Sequence, residues 1–197
     1  MSTPKHRTAP GTSYFVTTKC WEGRAIFQVP QNSEILIEAI FRYRDSGAYR
    51  LHEFVVMPDH LHLILTPSVT TSLEKAIQLI KGGSSHRIHK ARGQKAKIWQ
   101  VGFHDWTIRD ADDWRTKVEY IRSNPVRARL VQRPEDWPYS SASGKFKLDL
   151  IADKFLQLSS GAKAQTVPPV TQGLKPLPPK ENGNIKDPLA QSKAALP

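Results

Sequence analysis

The chain has one cysteine, Cys20, among its 197 residues. A lone cysteine excludes an intrachain disulfide and a thiolate metal cluster. No stretch reaches the ~18 to 20 consecutive apolar residues of a membrane span, and the opening MSTPKHRTAPGTS lacks the apolar core of a signal peptide. A cytoplasmic protein with no membrane partner is the expectation. There is no phosphate-cradling glycine loop, no internal repeat and no heptad pattern. Acid is scarce too: 18 Asp and Glu stand against 29 Lys and Arg, for a formal net charge of +11. That sign attracts polyanions, nucleic acid first.

The scarcity of acid is uneven. From Lys75 to His104 there is none. The same stretch holds Lys81, Arg87, Lys90, Arg92, Lys95 and Lys97, and Trp99, Phe103 and Trp106 lie within it or just beyond. Cations neutralise phosphates and aromatic rings stack on unpaired bases, so the run is a candidate nucleic-acid track. The alternative is a solvated basic helix end with core tryptophans. Arg122, Arg127 and Arg129 extend the basic character.

The chain is organised around Val55 to Leu65, VVMPDHLHLIL. Met57-Pro58-Asp59 is a turn signal. In the strand after it, side chains alternate faces with period two. His60 and His62 then share one face, and Leu61, Leu63 and Leu65 share the other. Two adjacent imidazoles can bind a metal ion or a phosphate, or serve as polar filler on a strand surface.

Around this hairpin the pattern predicts strands at Tyr14–Thr18 and Arg50–Met57. A helix is predicted from a cap at Asn32 or Ser33 to about Ser46, ended by Gly47. Thr71 and Glu74 fit a capping box for a second helix, which Gly82-Gly83 should interrupt or bend. A strand is expected at Thr107–Arg109. A third helix follows, capped by Asp110 or Asp112 and ending near Ser123 or Asn124, because Pro125 discourages continuation. In it Trp114, Val118 and Ile121 form the core stripe, and Lys117, Tyr120 and Asn124 lie on its flank. Trp137 should anchor an ordered turn, and residues 145–158 a last short helix or strand. The organisation is a flexible start over 1–12, a domain over 13–158 and a proline-rich disordered tail over 159–197. Antiparallel strands carrying helices on one face make an α+β sandwich.

Four segments, MPDHLHLIL, GFHDWTIRD, EYIRSNPVRARLV and PEDWPYSSA, occur in that order across roughly residues 14 to 142. Together they resemble the REP-associated tyrosine transposases, within the single-tyrosine HUH transposases. The HUH element here is His60-Leu61-His62, and Asp59 stands where Asn is more usual. The resemblance implies a ferredoxin-like palm, with the histidines on the central sheet and Tyr120 on a helix beside it. It implies that Tyr120 is the nucleophile and that His60, His62 and Asn124 hold a divalent ion, Mg2+ or Mn2+. It also implies a single-stranded DNA substrate with a hairpin, cleaved and rejoined through a 5′-phosphotyrosine. A non-cleaving DNA-binding protein of the same ancestry is the alternative. An RNA-binding module is a third reading, although its glycine-aromatic signature is missing. The oligomeric state stays open between monomer and dimer.

The tail reading carries a test. Truncation after Ser159 should leave the melting temperature within about 2 °C, since 1 kcal/mol moves it by roughly 2–4 °C in a chain of this size. A larger drop would show that the tail packs on the domain.

Overall fold

The structure is a computed structural model that describes residues 8–93 and 95–151. The expected tail over 159–197 lies outside the described residues, as do residues 152–158. The regular elements are β1 (Tyr14–Lys19), α1 (Pro30–Asp45), β2 (Tyr49–Met57), β3 (His60–Pro67), α2 (Leu73–Arg92), β4 (His104–Thr107) and α3 (Ala111–Arg127). The sheet order is β2-β3-β1-β4 and every neighbouring pair is antiparallel. The first strand therefore lies inside the sheet, between β3 and β4. A β-α-β-β-α-β chain in this order is the ferredoxin-like arrangement that the resemblance implied. No helix among the described residues is long and apolar enough to cross a membrane.

The two faces of the sheet have separate cores. Leu61, Leu63 and Leu65 of β3 join Tyr14, Val16, Leu51, Phe54 and the apolar stripes of α1 and α2. On the other face Val55, Met57 and Ile64 meet Ile121 of α3, with Trp114, Val118 and Trp137 packed against them. Helices therefore cover both faces, not one. The cause is visible in β2 and β3, which carry apolar side chains at successive positions and so need cover on each side. Each buried Leu or Ile contributes ~1.5–3 kcal/mol over its exposed state.

Several boundaries differ from expectation. α1 starts at Pro30, where the missing N–H leaves no bond unmade. Asn32 and Ser33 are buried in its first turn, where their side chains donate to the carbonyls of Ile26 and Phe27 at 2.7 Å. They fasten the preceding turn and do not cap. α1 ends as expected at Gly47, which has φ 78°; its N–H and that of Ala48 bond the Arg44 and Tyr43 carbonyls. The cap of α2 is Ser72, accepting from the Lys75 N–H, and not Thr71. β4 lies at His104–Thr107, before the expected Thr107–Arg109, and Ile108 is buried just beyond it. Residues 145–151 form neither helix nor strand. The Asp149 carboxylate instead accepts from Arg44 and from the Leu51 N–H on the β2 edge. Thr8 to Thr12, expected to be loose, is tied at two points: Thr8 Oγ1 accepts from the Leu73 N–H, and the Tyr14 hydroxyl from the Ala9 N–H.

The Gly82-Gly83 pair does not interrupt α2, which runs unbroken past it. Its use is close approach. A Cβ on Gly83 would sit 2.7 Å from the Tyr43 ring of α1, whereas one on Gly82 would meet nothing within 4 Å. The same substitution should therefore act with opposite signs at neighbouring positions. Gly82→Ala should raise stability by about 0.5–1 kcal/mol, the helix-propensity difference. Gly83→Ala should lower it by about 1–3 kcal/mol through overpacking. Urea midpoints of the two variants decide it.

Candidate active site

The Pro58-Asp59 turn is held from below: the Phe27 N–H bonds the Pro58 carbonyl and the Cys20 N–H bonds the Asp59 carbonyl. The turn aims the first residues of β3. The His60 Nδ1–H donates to Asp59 Oδ1 at 2.6 Å. That bond is the main reason the Asp59 carboxyl sits below its usual range. His62 is 4% exposed, and its Nδ1 is 2.8 Å from Thr17 Oγ1 on β1. Its Nε2 is buried and has no hydrogen-bond partner among the described residues. The two rings lie 4.6 Å apart, centroid to centroid. Burial first, and then the closeness of the second imidazole, pushes the His62 pKa down to about 3, so its ring is neutral at ordinary pH.

Each imidazole thus has Nδ1 occupied by an oxygen. A carboxylate on His60 Nδ1 fixes the tautomer that leaves Nε2 as a lone pair, as in metal-ligating histidines. A buried Nε2 without a partner costs ~1–3 kcal/mol unless something fills the place. A divalent ion fits: the rings are oriented and the buried one is neutral. Two imidazoles do not satisfy Mg2+ or Mn2+, which prefer oxygen donors. Among the described residues no group of three His, Cys, Asp or Glu lies together. Asn124, half-buried on α3 one turn beyond Tyr120, carries an amide oxygen, a donor of the type such ions prefer.

α3 brings Tyr120 to the pair. Its ring meets His62 edge-on at 5.2 Å and Phe15 at 5.8 Å. Phe15 in turn stacks on His62 at 5.4 Å with 20° between planes. The helix is capped by Asp110, which accepts from the Asp113 N–H. Its rotation is set by the Trp114, Val118 and Ile121 stripe. It is also clamped by Arg122, which ion-pairs with the buried Glu53 of β2, whose other oxygen accepts from Ser141. Pro125 does not end the helix. It is buried in the last turn, and the Asn124 carbonyl still accepts from the Ala128 N–H. The chain closes at Arg129, with φ 56°, and the Leu130 N–H returns to the Pro125 carbonyl. Tyr120 and Asn124 therefore stay on one continuous helix, one turn apart.

The expected DNA-contacting cations divide into two sets. Lys81 donates to the Gln100 and Gly102 carbonyls at 2.6 and 2.7 Å, and burial lowers its pKa. Arg87 pairs with Glu38 of α1, and Arg122 with Glu53. Lys97 sits over the Trp21 ring at 4.1 Å. Lys90, Arg92 and Lys95 are exposed on α2 and just after it, the helix on the opposite face from α3. Arg127 lies over the Tyr120 ring at 5.5 Å, and Arg129 is exposed at the end of α3. Residues of β1 had been missed: Phe15, Thr17 and Lys19 form one face beside the histidines, with Thr17 opposite His62 and Lys19 opposite His60. The available signal was the i, i+2 spacing of Phe15 and Thr17 in the expected strand Tyr14–Thr18; Lys19 lies one residue beyond that expectation.

Residues 13–124 match the family described as Transposase IS200 like. The chain is 30% identical over 149 residues to the REP-associated tyrosine transposase of Escherichia coli (strain K12), an alignment covering 73% of this chain and 87% of that protein. Among solved structures it resembles a REP-associated tyrosine transposase bound to a REP hairpin. The identity there is 28% and the TM-score 0.62, over 84% of this chain and 100% of the other.

The ligand geometry predicts metal binding that can be read without activity. Mn2+ added to chelator-stripped protein should raise the melting temperature, by ~2.7 kcal/mol of stability at a hundredfold excess over Kd. His60→Ala should abolish the shift. An equal shift in that variant would place the ion elsewhere.

Proposed function

The chain belongs to the IS200-like transposase family and, within it, to the REP-associated tyrosine transposases; on that premise we propose that it cleaves and rejoins single-stranded DNA beside a hairpin, with Tyr120 as nucleophile. The observation that carries the reading is the buried Nε2 of His62, unpartnered among the described residues, with the Tyr120 ring 5.2 Å from its own. A binder without chemistry has no need for an oriented histidine pair under a tyrosine.

Tyr120 Oη attacks the scissile phosphorus, the bond from phosphorus to the 3′ oxygen breaks, and the strand leaves with a free 3′-hydroxyl. The 5′ side remains as a phosphotyrosine. Its bond energy is retained, so attack by a 3′-hydroxyl reseals the strand without ATP. A divalent ion, Mg2+ or Mn2+, would be held by His60 Nε2 and His62 Nε2, with the Asn124 amide oxygen as a further donor. Bound there, such an ion would polarise the phosphate and offset the charge that develops on its oxygens. Lys19 and Lys117 add positive charge that is felt at His62, the sign that receives a phosphate. Arg127 over the Tyr120 ring adds a further cation beside the nucleophile. The hairpin seen with the similar solved protein supports hairpin DNA as the partner. The exposed Lys90, Arg92, Lys95 and Arg129 supply affinity rather than chemistry.

Tyr120→Phe should abolish cleavage and the covalent 5′ adduct, with hairpin affinity changed less than about threefold. The ring keeps its edge contacts with His62 and Phe15, so stability should shift by no more than ~0.5 kcal/mol. A radiolabelled suicide oligonucleotide run on a denaturing gel reads the adduct directly. An adduct in the phenylalanine variant would assign the attack to another residue.

A further inference from the structure

We propose that the half of the sheet face that α3 leaves open, on β1 and β4, is a subsite for the unpaired nucleotide next to the phosphate attacked by Tyr120. Phe15 and Trp106 lie against the base there, and Lys117 takes its phosphate. The proposal rests on the function above and adds a place for a base, which neither the histidines nor Tyr120 provide.

α3 buries its stripe on β2 and β3, through Ile121 against Val55, Met57 and Ile64. Beyond it the face continues onto β1 and β4, where Phe15 and Trp106 are direct cross-strand partners. Such partners share a face with Cβ atoms ~5 Å apart. The result is an aromatic row running outward from the reacting centre: His62 stacked on Phe15, Phe15 touching Tyr120, and Trp106 next in line. Trp106 is 46% exposed. Its position is nevertheless held: the Arg109 guanidinium lies 5.3 Å from the ring, fixed in turn by Asp113 at 3.0 Å.

Lys117 completes the arrangement. It sits one helical turn before Tyr120 on the same flank of α3. Its ammonium is 5.0 Å from the Phe15 ring and 4.9 Å from the Trp106 ring, and it ion-pairs with no carboxylate among the described residues. A cation over an exposed ring is a weak contact, so Lys117 can leave the rings for a phosphate as a base takes its place. Aromatic faces for bases with cations for the backbone are how proteins hold single strands. Stacking tolerates any base, so the subsite would position the strand more than it would read sequence.

The test uses the full chain and a hairpin oligonucleotide with single-stranded flanks, in which each flanking base is removed in turn to leave an abasic residue. Affinity is read by fluorescence anisotropy, and cleavage by the unmodified chain is followed in parallel. One abasic position beside the cleaved phosphate should weaken binding by the unmodified chain about tenfold, as expected for one stack. Trp106→Ala should lose a similar factor on intact DNA and lose no more on that abasic DNA. Trp106→Phe should recover most of the affinity. Lys117→Gln should flatten the slope of log affinity against log salt by about 0.7. The abasic scan needs no variant, so a misfolded Trp106→Ala cannot obscure it. Losses from Trp106→Ala and the abasic residue that simply multiply, or no sensitive position beside the cleaved bond, would overturn the subsite. One sensitive flanking base, matched by the loss in Trp106→Ala, in a chain that binds but never cleaves would uphold a base held by Phe15 and Trp106 and overturn both the transesterification and the placement of that base beside a cleaved phosphate. A chain that binds no single strand overturns both.

Discussion

The burial of His62 is the constraint around which this molecule is built. An imidazole 4% exposed has to be neutral, and both of its nitrogens have to be answered. Thr17 answers one across the sheet. The other has no hydrogen-bond partner among the described residues, and the fold carries the cost because the same strand sets Leu61, Leu63 and Leu65 into the main core on its far side. α3 then does two things with one packing surface. Its apolar stripe seals the face over β2 and β3, and the same rotation brings Tyr120 against His62. The Glu53–Arg122 pair holds that rotation from a buried carboxylate on β2 to a half-exposed guanidinium on α3.

What could be read from the sequence is what depends on neighbours along the chain. The hairpin from β2 to β3 declares itself through Pro58-Asp59, the alternation of His60, Leu61 and His62, and apolar runs on both sides. The stripe of Trp114, Val118 and Ile121 shows which way α3 faces, and so puts Tyr120 on its flank. Trp137 reads as an anchor, and its indole N–H does bond the Val56 carbonyl. The family could be recognised for the same reason, since its four segments are each local.

What could not be read depends on partners far away in sequence. The bounds of β4 come from the pairing of Trp106 with Phe15. Gly83 looks like a break until Tyr43 is packed against it. Pro125 looks like a stop, but in the last turn it removes only the bond to the Ile121 carbonyl and leaves the rest of the ladder. The acid-free run looks like an unbroken cationic track. Folding gives Arg87 a glutamate from another helix and turns Lys81 into a strut between two carbonyls. Charge counted along the chain therefore overstates the charge that remains available at the surface.

The place of β1 also sets a timetable. It is made first, yet it belongs between two strands that come later: Tyr14 pairs with Leu65 and with Thr107. At synthesis rates of ~5–20 residues per second, the roughly 50 residues to its first partner take about 3 to 10 seconds. The hairpin of β2 and β3 closes locally long before that long-range pairing can be completed. Thr17 and Phe15 both ride on β1. The nascent chain therefore acquires its sheet ribbon early, and the cluster of Phe15, Thr17, His62 and Tyr120 assembles only once its first strand has been threaded home.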